Sequence, residues 1–258
     1  MIHPHRLAHF VLAVVIFGAG PTTAADRAGS ALPGAKIPLN ILFIGNSYTM
    51  PLPSMFQELL NSAGYEVYLD QVSYGGWILE YHAASLETIA RINSRQWDYV
   101  VLQEQSQIPS LPLRVELMYP AVRTLDQIIR AAGSKPVLFM TWGRRDGDLE
   151  HDPNDHFDWM TERLRQGYYE IGLEVGAYVA PVGMAWHLSV HTDPTVNLWE
   201  KDGSHPNPAG VYLNACMFFA TLFDRDLSGV TTNGPLSPEL ALFLRQIAIR
   251  AAQQPRIY

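Results

Sequence analysis

The fold class this sequence predicts is a parallel β-sheet with helices on both faces, and three observations predict it. Apolar runs of strand length alternate with amphipathic, helix-length segments along the chain. The first run, Leu39–Ile44, is continuously apolar, the pattern of a strand buried on both faces. No linker, internal repeat or heptad array divides the chain, so one domain holds all five predicted strands. At 258 residues, 48% hydrophobic and 17% charged, such a chain buries a sizeable core without disulfides or metals.

The elements follow in order. Leu39–Ile44 is the first strand. Ser54-Met55-Phe56-Gln57 has capping-box spacing and opens a helix that Gly64 closes. Glu66–Val72 alternates as a second strand, and Leu79–Ile92 reads as a helix. Tyr99–Leu102 is a third buried strand. Leu113–Ala132 is a long amphipathic helix ended by Gly133, followed by the fourth strand, Val137–Thr141. A helix from Asp155 to Ile171 leads to a short fifth strand, Ala177–Ala180. Asn207-Pro208 caps and starts a helix running to Phe223, and Ser237-Pro238-Glu239 starts the last one. Right-handed crossovers then place a site beyond the carboxyl ends of the strands.

The amino end carries a different signal. Arg6 and several histidines precede the apolar run Leu7–Ala19, and small residues follow at Thr23-Ala24-Ala25. That is the layout of a secretory signal peptide over residues 1–25, with an uncleaved anchor as the alternative. Residues 26–38 read as a flexible lead-in and 39–258 as the single domain. The expectation is an exported protein, periplasmic or secreted, with no stable membrane span after cleavage; His3, His5 and His9 leave with the leader. A formal net charge of −7 does not attract phosphate backbones, so nucleic acid is not an expected partner. Oligomeric state leaves no signal. The single cysteine, Cys216, lies in an apolar run, forms no internal disulfide and reads as a buried core thiol.

Two short stretches carry the chemistry. Ser47, in Gly45-Asn46-Ser47, follows the first strand directly, which puts its hydroxyl at the carboxyl edge of the sheet. A serine hydroxyl is a poor nucleophile until a base takes its proton. Asp202-Gly203-Ser204-His205-Pro206 supplies one. A carboxylate and an imidazole three residues apart in a tight turn can bond through Nδ1, leaving Nε2 for Ser47. The elbow Gly-x-Ser-x-Gly is not met, because Thr49 stands at the second glycine. No P-loop, zinc-binding His-Glu-x-x-His or EF-hand loop is present, and no cofactor or metal is expected.

Ile44-Gly45-Asn46-Ser47-Tyr48-Thr49, Gly75-Gly76 and Asp202-Gly203-Ser204-His205-Pro206 resemble three blocks of the SGNH hydrolases, the GDSL-like esterases and lipases, in order and spacing. The resemblance spans residues 39 to 224. It implies a flavodoxin-like three-layer α/β/α sandwich and ester hydrolysis through an acyl-enzyme. It also implies roles: Ser47 as nucleophile, His205 as base, Asp202 as its orienting partner. The implied oxyanion hole combines the backbone N–H of Ser47, a glycine N–H from Gly76 or Gly75, and a side-chain amide. Where the family has Gly-x-Asn-Asp, this chain reads Leu102-Gln103-Glu104-Gln105. The resemblance is then to a subset with such a block, and the donor is Gln105 or Gln103. No role is assigned to Glu104.

Specificity has weaker signals. Trp77, Trp142, Trp186 and Trp199 fall near site loops, either as stacking surfaces for a sugar or as cover for helix–sheet joints. Arg144 and Arg145 either grip an anionic substrate group or pair with Asp146 and Asp148. His82 can approach the site. His151 to His156 reads as a surface loop, and His187 with His191 as a structural pair, metal ligation being the alternative. The expected substrate is an acyl ester, an acetylated carbohydrate first. A lipid or thioester hydrolase, a carbohydrate O-acyltransferase using the same triad, and a non-catalytic carbohydrate-binding protein are the alternatives.

Overall fold

The computed structural model describes residues 39–223 and 226–253. The predicted leader and lead-in, residues 1–38, lie outside them. Five strands form one sheet in the order β2-β1-β3-β4-β5: β1 Leu39–Gly45, β2 Val67–Ser73, β3 Tyr99–Leu102, β4 Lys135–Phe139 and β5 Tyr178–Ala180. Every pairing is parallel, with Ile41 opposite both Leu69 and Tyr99. All carboxyl ends therefore share one edge, and the order steps outward in both directions from β1 and β3. That is the topological break where a crevice opens.

Alternation along the strands divides the core in two. Ile41, Phe43, Val101, Val137 and Phe139 face one layer, made by α1 (Leu52–Ser62), α6 (Val182–Thr192), α7 (Pro208–Leu222) and α8 (Pro238–Ala252). Leu42, Ile44, Val100, Leu102 and Leu138 face the other. That layer comprises α2 (Leu79–Ala84), α3 (Leu86–Asn93), α4 (Met118–Ala131) and α5 (Phe157–Val175). The result is the three-layer sandwich. α7 is apolar nearly all round, with twelve residues from Ala209 to Ala220 buried, because it packs against the sheet, α1 and α8 at once. Cys216 lies fully buried on it, and burial pushes its thiol far above the ordinary range.

Four elements depart from the sequence expectation. The helix expected over Leu79–Ile92 breaks at Ser85, whose backbone is extended and whose hydroxyl accepts from Thr88 N–H at 3.3 Å to start a new helix. The helix expected from Leu113 begins only at Met118, after a 3₁₀ turn at Pro112–Val115. Pro120 cannot donate back to Glu116, so it is tolerated only in the first turn. The helix α6 was not expected at all, although Val182, Ala185, Trp186 and Ser189 mark one buried helical face. The fourth strand starts at Lys135, two residues early, despite the missing donor of Pro136. Among the described residues, no helix is long and apolar enough to cross a membrane.

Candidate active site

Five loops meet at the carboxyl edge. The β1 loop is the most constrained. Gly45 ends β1 where an added Cβ would lie 2.5 Å from both Gln103 Oε1 and Thr49 Oγ1, so only glycine fits. The chain then turns, with Thr49 N–H and Met50 N–H both donating to Asn46 C=O at 2.9 and 3.1 Å. No described residue other than glycine has a positive φ, so Ser47 sits in this turn without left-handed strain. Buried polar groups clamp the turn from below. Gln103 Oε1 accepts from Asn46 N–H at 2.9 Å and from the Thr49 hydroxyl at 2.8 Å. The carboxamide of Asn46 reaches sideways, donating to Trp77 C=O at 2.9 Å.

His82 holds the same turn from the α2 side. Its Nε2–H donates to Gly45 C=O at 2.9 Å, and Nδ1 therefore accepts from the Thr88 hydroxyl at 3.0 Å. A carbonyl can only accept, which fixes the tautomer. Burial holds this imidazole below its ordinary range, outweighing the opposing pull of Gly45 C=O and Glu87. Sequence reasoning placed His82 near the site but missed this role, since a bond to a backbone carbonyl leaves no pattern.

The other chemistry-bearing loop comes from far along the chain. Ser47 Oγ lies 2.9 Å from His205 Nε2, and His205 Nδ1 lies 2.6 Å from Asp202 Oδ2. The second carboxylate oxygen accepts Ser204 N–H at 2.8 Å and His205 N–H at 3.0 Å, which fixes the carboxylate plane. Burial raises the proton affinity of Asp202, but these bonds from His205 and Ser204 together outweigh it and hold the carboxyl below its usual range. Gly203 turns the loop with φ +69. Gly203 C=O accepts from Arg145 N–H at 2.8 Å, and His205 C=O accepts from Glu200 N–H at 2.8 Å. Tyr48 closes the gap, sharing a 2.5 Å hydrogen bond with Ser204 Oγ and meeting His205 edge-on at 5.3 Å. Ser47, Asp202 and His205 are all part-exposed, so a substrate has access.

An ester carbonyl at Ser47 would need donors for its developing charge. The turn after β2 is Tyr74 to Trp77, closed by Trp77 N–H to Tyr74 C=O at 3.1 Å, with Gly76 at φ +74. That left-handed angle is why glycine stands at 76. A Cβ at Gly75 or Gly76 would meet nothing within 4 Å, so the approach to both is open. The backbone N–H groups of Ser47, Gly75 and Gly76 have no acceptor among the described residues. The two glutamines differ sharply. Gln103 is fully buried and its amide nitrogen donates to Glu104 C=O. Gln105 is part-buried. Its oxygen accepts Gln107 N–H at 2.7 Å and Ile108 N–H at 3.2 Å, leaving an amide N–H beyond the long 3.3 Å bond to Gln107 Oε1. Behind them Glu104 is buried, accepting Gln105 N–H at 2.6 Å and Leu79 N–H at 3.2 Å. Burial pushes its carboxyl up to about 7 despite those donors.

A candidate SGNH hydrolase from Slackia heliotrinireducens superposes with a TM-score of 0.60 at 28% identity, covering 72% of this chain and 100% of that one. A DUF4886 family protein from Bacteroides uniformis gives a TM-score of 0.74 at 17% identity, covering 85% of this chain and 96% of that one. An acetyl xylan esterase from Geobacillus stearothermophilus gives 0.53 at 16% identity, covering 75% and 96%. The fold is that of the SGNH hydrolases. No family model and no curated protein matches the chain.

Within this SGNH-type fold the predicted specificity residues have mixed fates. Trp142 is no sugar platform. It is fully buried, sandwiched at 4.7 Å by Tyr48 and at 4.1 Å by Trp186, and donates to Ser204 C=O at 3.1 Å. Stacking inside the molecule satisfies both its ring and its N–H, leaving neither for a ligand. Trp186 and Trp199 are buried likewise, so three of the four indoles cover helix–sheet joints. Trp77 is only part-buried, against Tyr74 and His82. The two arginines also differ. Arg145 is clasped by Asp146 at 2.8 Å, whereas Arg144 reaches Asp148 and Glu150 only at 3.8 and 4.0 Å. Arg144 Nε is buried with no acceptor among the described residues.

Proposed function

We propose that the protein is an SGNH-type serine ester hydrolase. The observation that carries this reading is the chain of contacts Ser47 Oγ, His205 Nε2, His205 Nδ1, Asp202 Oδ2, at 2.9 and 2.6 Å. His205 carries its proton on Nδ1, toward Asp202, so Nε2 accepts from the Ser47 hydroxyl. As Ser47 Oγ bonds to the ester carbonyl carbon, its proton passes to Nε2 and Asp202 stabilises the imidazolium. The oxyanion is held by the N–H groups of Ser47 and of Gly76 or Gly75, with the Gln105 amide as third donor. Collapse expels the alcohol, protonated by His205, and leaves acyl-Ser47. Water, deprotonated by the same imidazole, then releases the acid.

Gln103 has a different part in this reading. Its carboxamide is fully buried beneath the turn, so it positions Ser47 rather than touching substrate. The presence of an acetyl xylan esterase among the structural neighbours supports a small acyl group on a carbohydrate as substrate. The apolar run Leu7–Ala19 supports export, and a mature chain beginning at Asp26, read by intact mass, tests it. Hydrolysis of short-chain chromogenic esters by the wild type, and its loss in Ser47→Ala, tests the central assignment. Equal turnover by the variant would remove Ser47 from the mechanism.

A further inference from the structure

A second set of donor atoms converges away from the triad. His187 and His191 stand one turn apart on α6, a spacing that puts both side chains on one face. Asp158 projects from the first turn of α5 toward both. Its Oδ1 lies 2.8 Å from His191 Nε2 and 3.4 Å from His187 Nε2. The two imidazole centroids are 4.3 Å apart, and the three ligand atoms lie within 4.8 Å of one another. An acidic residue in a first turn is explained by the helix dipole alone. Two imidazole nitrogens meeting at one of its oxygens are not.

We propose that His187, His191 and Asp158 bind a divalent transition-metal ion, zinc before others. A tetrahedral zinc with bonds of about 2.0–2.1 Å separates its ligand atoms by roughly 3.3 Å. The His187–Asp158 edge of 3.4 Å already has that length. The His191–Asp158 contact has to open by about half an ångström, within a side-chain rotation at an exposed residue. Two imidazoles and one carboxylate suit borderline ions, whereas magnesium and calcium prefer all-oxygen sets.

A second cluster of this kind shows what makes the first one fit. Asp148, Glu150 and His151 also approach one another. There the Gln107 amide donates to Asp148 at 2.8 Å and to Glu150 at 3.0 Å, and the Arg144 guanidinium stands 3.8 Å from Asp148. Protein donors already use those oxygens. Asp158 faces only histidines among the described ion pairs, the third being His156 at 4.0 Å, while neighbouring Glu162 is taken by Arg165. An ion here ties the start of α5 to α6. Phe157, one residue before Asp158, packs edge-on against Trp199 at 5.2 Å, and Trp199 bridges to Pro206 beside His205. The site thus braces the support of the catalytic loop and takes no part in the chemistry.

The test is zinc binding to the metal-stripped, untagged full chain by calorimetry, with thermal unfolding alongside. One zinc per chain and a raised Tm are expected. His191→Ala and Asp158→Asn should each weaken binding by more than the roughly 10–100-fold that losing an outer-shell partner costs. His151→Ala should leave it unchanged. Where the leader is retained, His3, His5 and His9 are common to every variant, so their contribution cancels. Zinc binding that survives both substitutions, falls equally in His151→Ala, or is absent from the wild type overturns the proposal. His191 is exposed, so a folded His191→Ala variant is expected and circular dichroism checks it.

Discussion

Two histidine–aspartate pairs in this molecule look alike but stand in different surroundings. His205 with Asp202 and His191 with Asp158 both hold an imidazole against a carboxylate, at 2.6 and 2.8 Å, and both are part-exposed. At Asp202 the carboxylate takes Nδ1, and the free Nε2 meets a serine hydroxyl in a turn clamped from below. At Asp158 the carboxylate takes Nε2 itself, and the next group is another imidazole. The first arrangement leaves a base beside an alcohol, so it can move a proton. The second brings two imidazole nitrogens to one oxygen, so with an Nε2 proton displaced it can hold a cation. The chemistry resides in the third group and in which ring nitrogen is occupied, not in the pair.

Breaking the first pair should have the largest effects. Ser47→Ala is expected to lower kcat for a short-chain ester on the order of 10⁴-fold or more, with Tm unchanged. Asp202→Asn leaves the imidazole without its orienting carboxylate and should cost about 10²–10⁴-fold in kcat, with KM little moved. The same change at the second pair, Asp158→Asn, should leave ester turnover within about twofold, since no reacting atom is touched. If Asp158→Asn costs as much as Asp202→Asn, the distinction between the pairs fails.

The glutamines sharpen the comparison further. Gln105→Ala should lower turnover by about 10²–10³-fold, the effect of removing one oxyanion donor, and leave Tm unchanged. Gln103→Leu leaves Asn46 N–H and the Thr49 hydroxyl buried without acceptors, at about 1–3 kcal/mol each, so its main effect should be on Tm. An unchanged rate in Gln105→Ala would leave the oxyanion to the backbone N–H groups alone. Arg144→Gln should slow hydrolysis of an ester bearing a carboxylate more than that of its neutral analogue, in a side-by-side kcat/KM comparison, by on the order of tenfold.

The remaining effects are on stability against pH, where two buried groups near the turn oppose each other. His82 binds a proton less readily folded than unfolded. Its contribution is therefore full above the unfolded value near 6.5 and is lost as pH falls below it. Glu104 holds its proton up to about 7 when folded. Its contribution is full below the ordinary carboxylate range and is lost as pH rises to about 7, by on the order of 3 kcal/mol. Glu104→Gln keeps an acceptor oxygen and should flatten the fall of Tm between pH 5 and roughly 7. A slope that persists in the variant would assign it to other groups.

The sandwich was legible because its signals are local. Leu39–Ile44 and Tyr99–Leu102 are apolar without interruption, and Gly64 and Gly133 mark helix ends. Ser47 and the Asp202–His205 turn were also legible, each from a handful of adjacent residues. Their meeting across 158 positions followed from strand order rather than from any pairwise signal. What stayed hidden was long-range and polar. Nothing in the order Gln103-Glu104-Gln105 says which carboxamide folds under the Ser47 turn. The bond of His82 to Gly45 C=O leaves no trace in composition. Of the two readings of the tryptophans, cover for helix–sheet joints holds for Trp142, Trp186 and Trp199. An indole near a rim and an indole under it read alike in sequence, and Trp142 is distinguished only by the rings of Tyr48 and Trp186 on its two faces. Asp158 completes the His187–His191 set from a different helix, which spacing on one helix cannot reveal.

The most direct measurement is covalent trapping. Incubation of the full chain with a fluorophosphonate lets the activated alcohol displace fluoride, and peptide mass spectrometry locates the adduct. One adduct per chain is expected, on Ser47, formed far more slowly in His205→Ala and absent in Ser47→Ala. An unmodified Ser47 in a folded wild type, or an adduct that forms as fast without His205, would contradict it.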